Sequence, residues 1–137
     1  MASGAMEGYG ELFRSSPFLD HVGPFYSKGK GQALSIGLRV LAHHLNARGL
    51  VHGGVLMTMA DIALGYAMST AVEPPISAVT SHLSTDFAGS AKLDDWIESR
   101  VDIQKLGKTL CFANVYLCLG DARIVRASGV FAVSSRG

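Results

Sequence analysis

Residues 50–75 read LVHGGVLMTMADIALGYAMSTAVEPP, and the fold turns on how this stretch is read. Between Val55 and Val72 the polar side chains are Thr58, Asp61, Tyr66, Ser69 and Thr70, and they form no single broad stripe. A helix that is apolar nearly all round is a buried helix. Gly53-Gly54 open it and Pro74-Pro75 stop it, so the pattern predicts one long helix over residues 54–71. A membrane span is the competing reading of residues 50–72. Asp61 at mid-span would cost on the order of 2.5–3.5 kcal/mol even on a lenient insertion scale, and alanine and glycine offset little of that. A buried helix in a water-soluble domain is the better reading.

Strands surround this helix. Leu34, Ile36, Leu38 and Val40 alternate with Ser35, Gly37 and Arg39, which predicts a half-buried strand. Beyond the helix, residues 78–87 alternate, with Thr80 and His82 on one face and Val79 and Leu83 on the other. Residues 96–105 follow, with Ile97, Val101 and Ile103 as the buried face; Gly107-Lys108 and Gly120-Asp121 then turn two more strands into a meander. Upstream, residues 11–22 predict a short amphipathic helix or two helical turns carrying Leu12, Phe13, Phe18, Leu19 and Val22, and 23–32 a turn-rich connector. No second long helix is available for parallel crossovers. The fold class is therefore α+β, an antiparallel sheet packed on one helix.

The bulk properties agree with one domain over 1–137, with the Gly-rich residues 1–10 frayed. A chain with 48% hydrophobic and 17% charged residues is neither disordered, nor collagen-like, nor a disulfide-stapled miniprotein. Net charge is +1 without a Lys/Arg run, so no nucleic-acid footprint is present. The mean hydropathy of +0.27 is slightly apolar for this size, which suggests apolar surface buried against another copy. Cys111 and Cys118 lie seven positions apart in one strand-like run. That separation, roughly 23 Å of strand, prevents them from pairing within the strand. They read as core thiols of a cytoplasmic protein, and no apolar leader stands at the N-terminus.

The chemistry concentrates at the helix start. No Ser, Thr, Asp or Asn stands at the expected N-cap, so the first N–H groups and the dipole behind them are open to a polarised oxygen. Gly53 and Gly54 let that oxygen approach without a Cβ in the way. Such a site suits a carbonyl that gains negative charge in its transition state. Asp61 sits between Ala60 and Ile62, and burial of a carboxylate disfavours its charged form, which suits a base or nucleophile working near neutral pH. Beside it stands the structural alternative of an Asp bonded to Thr58. Gly53 and Asp61 are eight residues apart, roughly 12 Å along one helix, so one carbonyl cannot touch both. If both act on one substrate, Asp61 comes from a second chain across a two-fold axis.

His52 reads either as a loop histidine or as a donor orienting the carbonyl beside Gly53. Asn46 either donates to Asp61 or water, or shapes the loop. Thr80 either holds the attacking water or is an ordinary polar-face residue, the reading preferred for His82. His21, His43 and His44 have no metal-ligand spacing, and HExxH, CxxC, phosphate-loop and GxSxG motifs are missing from the sequence.

Asn46-x5-His52-Gly53-Gly54-x6-Asp61 at a helix entry, followed only by strands, resembles the hot-dog-fold acyl-CoA thioesterases, and among them the PaaI-type branch. The likeness runs from about residue 32 to 133 and includes TDFAGSAKL (85–93) and QKLGKTL (104–110). It implies a long helix wrapped by a curved antiparallel sheet, dimers with a continuous sheet, and tetramers of two dimers. It also implies that Gly53 N–H polarises the thioester carbonyl with His52 near it, and that Asp61 of the partner chain attacks or activates water. Asn46 and Thr80 match the positions that orient water or the carboxylate. Gly54, Lys105, Gly107, Lys108 and Thr109 match positions near CoA, although an ordinary hairpin turn explains the last four equally well. Ser90 departs from the family, which usually carries a Pro nearby. Phe13, Phe18 and Leu19 are the expected source of the acyl pocket. The expected substrate is an acyl-CoA, with CoA as part of the substrate and no separate cofactor, metal, nucleic acid or membrane. A non-catalytic acyl-CoA-binding module is the alternative. A hot-dog hydratase is disfavoured, because its Asp and His pair at the helix start.

Overall fold

Leu34, Ile36, Leu38 and Val40 are at most 1% exposed, and the long helix they meet is the centre of the molecule. The computed structural model describes residues 4–136. In chain order the elements are β1 (Gly10–Glu11), α1 (Pro17–Val22), β2 (Phe25–Lys28), β3 (Ser35–Arg39), α2 (Gly53–Thr70), β4 (Ile76–Phe87), β5 (Trp96–Leu106), β6 (Leu110–Leu119) and β7 (Ala122–Arg136). The strands form one antiparallel sheet in the order β1-β2-β3-β5-β6-β7-β4. Helix α2 lies against it and touches β3 through β7. Leu56, Met59, Ala60, Ala63, Leu64, Ala67 and Met68 form its sheet-facing side and are nearly or wholly inaccessible. Each larger member contributes about 1.5–3 kcal/mol by leaving water. The helix ends where Ala71 closes a backbone bond to Met68 O, just before Pro74-Pro75.

The N-terminal third differs from expectation. Of the helix or helical turns expected over 11–22, Pro17–Val22 is helical, capped by Ser16 accepting from Leu19 N–H at 3.3 Å, while Glu11 instead pairs with Tyr26 in the sheet. The expected connector over 23–32 contains β2, too short for its alternation to register. Residues 1–3 of the expected frayed segment lie outside the described residues, and from Gly4 onward the segment is tied down. Tyr9 hydroxyl donates to Glu98 at 2.8 Å and shares a hydrogen bond with Ser35, while Arg39 Nε donates to Gly4 O at 3.3 Å. This strap buries β3 on both faces, where alternation predicts one. The Trp96 ring lies against Gly37, where any Cβ would collide with it. Burial, before any hydrogen bond, pushes the Tyr9 phenol up to about 12, so it remains a neutral donor.

A second difference lies in β4. Thr80 pairs with Phe131 and His82 with Val130, so Ser81 is an extra residue and the alternation slips by one. Cross-strand partners share a face. Thr80 thus joins Leu83, the partner of Gly129, on the helix side, and His82 faces away. The expected grouping of Thr80 with His82 is corrected by this bulge. Cys111 and Cys118 are both free and buried.

His44 joins three parts of the fold. Its Nδ1 accepts from Leu41 N–H at 2.9 Å and its Nε2–H points to Val22 O at 2.7 Å, while its carbonyl accepts from His52 N–H at 2.9 Å. Burial, and secondarily His43 stacked on it, hold the imidazole below its usual value of 6.5. The unfolded chain therefore takes up a proton first as pH falls. The contribution of His44 is complete above about pH 6.5 and is lost progressively below it. Urea titrations at about pH 7.5 and 5.5 should show the wild type losing stability at the lower pH, and His44→Gln should flatten that dependence. An unchanged slope in the variant would assign the effect to other groups.

Candidate functional site

The helix entry is capped, contrary to expectation, and the cap is His52. Its backbone is extended, and its Nδ1 accepts from Gly54 N–H at 3.0 Å. Val55 and Leu56 N–H groups reach His52 O at 3.0 and 3.4 Å. Of the first four helix donors, Gly53 N–H alone is left without a partner among the described residues. Because Nδ1 accepts, the ring proton sits on Nε2, and the exposed imidazole offers that N–H outward. A donor from the backbone and one from the ring thus stand beside each other.

The loop before the helix holds this entry in place. Asn46 Oδ1 accepts from Arg48 N–H at 2.8 Å and Leu50 N–H at 3.2 Å, and Asn46 N–H reaches Leu50 O at 2.7 Å. Gly49 makes the reversal with φ of +80°. Asn46 therefore shapes the loop, and no bond links it to Asp61 within the chain. Its amide Nδ2 has no partner among the described residues. Over the entry lies Phe87, whose ring would stand 3.5 Å from a Cβ on Gly53. Sequence reasoning missed this residue. Its signal was a large apolar side chain ending an exposed strand, and it is 49% exposed here.

Asp61 belongs to a second cluster. Its neighbours Ala60 and Ile62 are buried as expected, yet Asp61 itself is only half-buried and faces a cavity. Thr80 Oγ1–H donates to Asp61 Oδ1 at 2.6 Å, which the β4 bulge makes possible. Thr58 instead donates to Gly54 O at 3.0 Å, so the alternative Asp61–Thr58 bond does not form. The cavity has a volume of about 300 Å³, and its wall includes Asp61, Thr80, Tyr66, Ile76, Phe131 and Arg14. The N-terminal segment reaches this cavity, but not through the residues expected. Phe13 stacks on Tyr66 with ring centroids 5.2 Å apart, Phe18 is 60% exposed, and Leu19 is in the core. Burial raises the Tyr66 phenol, with Arg14 acting downward and Asp61 upward on it.

The β5–β6 hairpin carries Lys105, Gly107, Lys108 and Thr109. Gly107 N–H bonds Leu110 O at 3.0 Å, and a Cβ at Gly107 would collide with that oxygen, so the turn itself demands glycine. Thr109 O accepts from Val133 N–H at 2.9 Å, and both lysines are exposed. Through the row Leu110–Ala132–Val79 the hairpin lies at the Thr80 end of the sheet. One chain thus holds two separate clusters. Asn46, His52, Gly53 and Gly54 stand with Phe87 at the helix start, and Asp61 with Thr80 stands roughly 12 Å further along. Among the described residues, no cluster of three His, Cys, Asp or Glu is placed to hold a metal, and no helix is long and apolar enough to cross a membrane.

The family model of the thioesterase superfamily matches residues 48–125, which take in both clusters apart from Asn46. The chain belongs to the thioesterase superfamily. A Pseudomonas aeruginosa protein that bears an esterase name is 45% identical over 126 residues, covering 91% of this chain and 94% of that one. The phenylacetic acid degradation protein PaaI of Thermus thermophilus superposes with a TM-score of 0.76 at 22% identity, covering 86% of this chain and 99% of that one. A Streptococcus pneumoniae protein that bears the name of a hypothetical thioesterase, solved with coenzyme A, gives a TM-score of 0.75 at 21% identity, covering 82% of this chain and 90% of that one. The sheet wrapped on α2 is the hot-dog fold of these structures, and the superfamily is one of thioester hydrolases.

In this thioesterase-superfamily chain the His52 cap is open to a direct check. His52→Ala leaves Gly54 N–H without its acceptor and should cost about 0.5–2 kcal/mol in urea unfolding. Nitrogen-15 spectra of the wild-type imidazole above its titration should show the proton on Nε2. A proton on Nδ1 would contradict the cap.

Proposed function

We propose that the protein is an acyl-CoA thioesterase whose two half-sites are joined by a second copy of the chain. The carrying observation is the unpartnered Gly53 N–H beside His52, the one helix-start donor not already engaged. It meets the thioester carbonyl oxygen and, with the helix dipole, stabilises the charge that develops there. Asp61 of the partner subunit, oriented by Thr80, either takes a proton from the attacking water or attacks the carbonyl carbon itself. In either case the tetrahedral centre collapses by breaking the C–S bond, and CoA leaves as a thiolate that takes up a proton; on the second route a water then hydrolyses the acyl–Asp61 anhydride, which frees the acid and restores the carboxylate. The acid departs as the second product.

The geometry of β4 supports the pairing. It is an edge strand of twelve residues with an unpaired side. A two-fold axis at Ser84 pairs Leu83 with position 85 and His82 with position 86, and the bulge at Ser81 then sets Thr80 opposite Phe87 of the partner subunit. Because Thr80 bonds Asp61 and Phe87 covers Gly53, the same axis joins the carboxylate of one chain to the helix entry of the other. Exposed Val79 and Phe87 lie on that edge and would be covered. On this reading Gly54, Lys105, Gly107, Lys108 and Thr109 border the CoA path, the free Asn46 amide donates to substrate or water, and dimers pair into a tetramer in the cytoplasm. No cofactor beyond the CoA of the substrate takes part.

Thiol release from aryl- and fatty acyl-CoAs tests the activity, and Asp61→Asn should lower it by about 10²–10⁴-fold. Gly53→Pro removes the key N–H at a helix position that proline tolerates, behind a residue already extended. Co-expressed with Asp61→Ala, it should recover about a quarter of wild-type activity, since half of random dimers are mixed and each has one intact site of two. No recovery with mixed dimers present would place each site within one chain. Acyl-CoA binding without thiol release by the wild type would make the protein a binding module instead.

A further inference from the structure

The cavity beside Asp61 has a wall unlike that of a fatty-chain tunnel. Ile62, Ile76, Ala78 and Phe131 supply apolar surface, but Arg14, Ser15, Ser16, Ser69 and Ser77 line it as well. Most of those polar groups are already engaged within the chain. Ser15 donates to Asp20, Ser16 caps α1, Ser69 donates to Ile76 O, and Thr80 donates to Asp61. The Tyr66 hydroxyl donates to Arg14 O at 3.0 Å. Among the described residues, the side-chain donors left are the hydroxyls of Ser16 and Ser77, which accept from Leu19 N–H and Ser134, and the guanidinium of Arg14.

Arg14 is fixed on this wall by its own backbone, through that Tyr66 bond and the stacking of Phe13 on the same ring. Its guanidinium has no carboxylate partner among the described residues. Tyr66 sits within the electrostatic reach of both Arg14 and Asp61, so a cation and a carboxylate flank one small cavity. At about 300 Å³ the space is at the low end for a ligand site, which suits a short acyl group. The guanidinium fork matches a carboxylate with two parallel hydrogen bonds.

Resting on the thioesterase reading of this site, we propose that Arg14 selects short ω-carboxyacyl thioesters by binding their distal carboxylate while Asp61 faces the thioester end. Glutaryl and pentanoyl thioesters have the same five-carbon chain and differ at the far end, so their kcat/KM ratio isolates this contact. Arg14→Gln should lower the glutaryl-to-pentanoyl ratio about ten- to hundredfold, with Arg14→Lys between the two. The same drop should appear with N-acetylcysteamine esters, which carry no phosphates. An unchanged ratio overturns the proposal. So does an equal loss on both CoA esters that vanishes with the N-acetylcysteamine pair, because Arg14 would then meet a CoA phosphate. Calorimetry with glutarate and pentanoate separates this inference from the catalytic one. Glutarate should bind the wild type more tightly than pentanoate, and Arg14→Gln should erase the difference, even if no thioester is hydrolysed. Equal binding of the two acids by the wild type also overturns it.

Discussion

Everything in this molecule depends on covering α2. Eighteen residues of helix with apolar side chains nearly all round cannot be left in water, and one face of a sheet can cover only part of them. The chain answers with seven strands curved about the helix, so that Met59, Ala60, Ala63, Leu64, Ala67 and Met68 have no accessible surface. Once the helix is held this way, its two functional features are fixed in space. Its first free donor emerges at one end of the sheet, and its single carboxylate emerges two turns on, at a gap in the wall. The side of α2 that the sheet does not cover is the side carrying Gly54, Thr58 and Asp61.

The spacing between those features is therefore a structural constraint with a chemical consequence. A rigid helix cannot bring Gly53 and Asp61 to one carbonyl, and the chain makes no fold-back that would. Each half-site instead has its own support. His52 caps the entry and Asn46 holds the loop, while Thr80 bonds the carboxylate across the β4 bulge. Both supports end on β4, through Phe87 at one end and Thr80 at the other, and β4 is an edge strand. An exposed edge is ordinarily a hazard that proteins keep short or charged. Here it is long, with Val79 and Phe87 on it, which is the form expected of an edge that meets its own copy.

Long-period features were legible before any coordinates, and short ones were not. The buried helix, its proline stop and the β5–β6–β7 meander follow from patterns many residues long, and the helix bounds differ from the structure by about a residue. Strands β1 and β2, of two and four residues, present too few positions for alternation to register. The second burial of β3 comes from Tyr9 and Trp96, distant in sequence, and no local pattern encodes it. The bulge at Ser81 puts Thr80 and His82 on opposite faces, and a single inserted residue in a continuous polar run leaves no mark in composition. At the candidate site, the sequence singles out Gly53 and Asp61 by residue type and spacing. The capping role of His52 was not legible, because histidine is an uncommon cap and its two ring nitrogens allow either role.

The cap changes what the double glycine means. If the helix start were bare, several N–H groups would compete for an incoming oxygen, and its position would be poorly defined. With Gly54 bonded to the His52 ring, and Val55 and Leu56 to the His52 carbonyl, one donor remains. The same bond turns the imidazole so that its remaining proton lies outward on Nε2. One residue thereby removes the surplus donors, adds its own, and leaves Gly53 N–H as the one helix-start donor without a partner among the described residues. Preorganisation of this kind needs no rearrangement when charge develops on the carbonyl, and that is the condition under which a hydrogen bond lowers a barrier rather than merely binding the ground state.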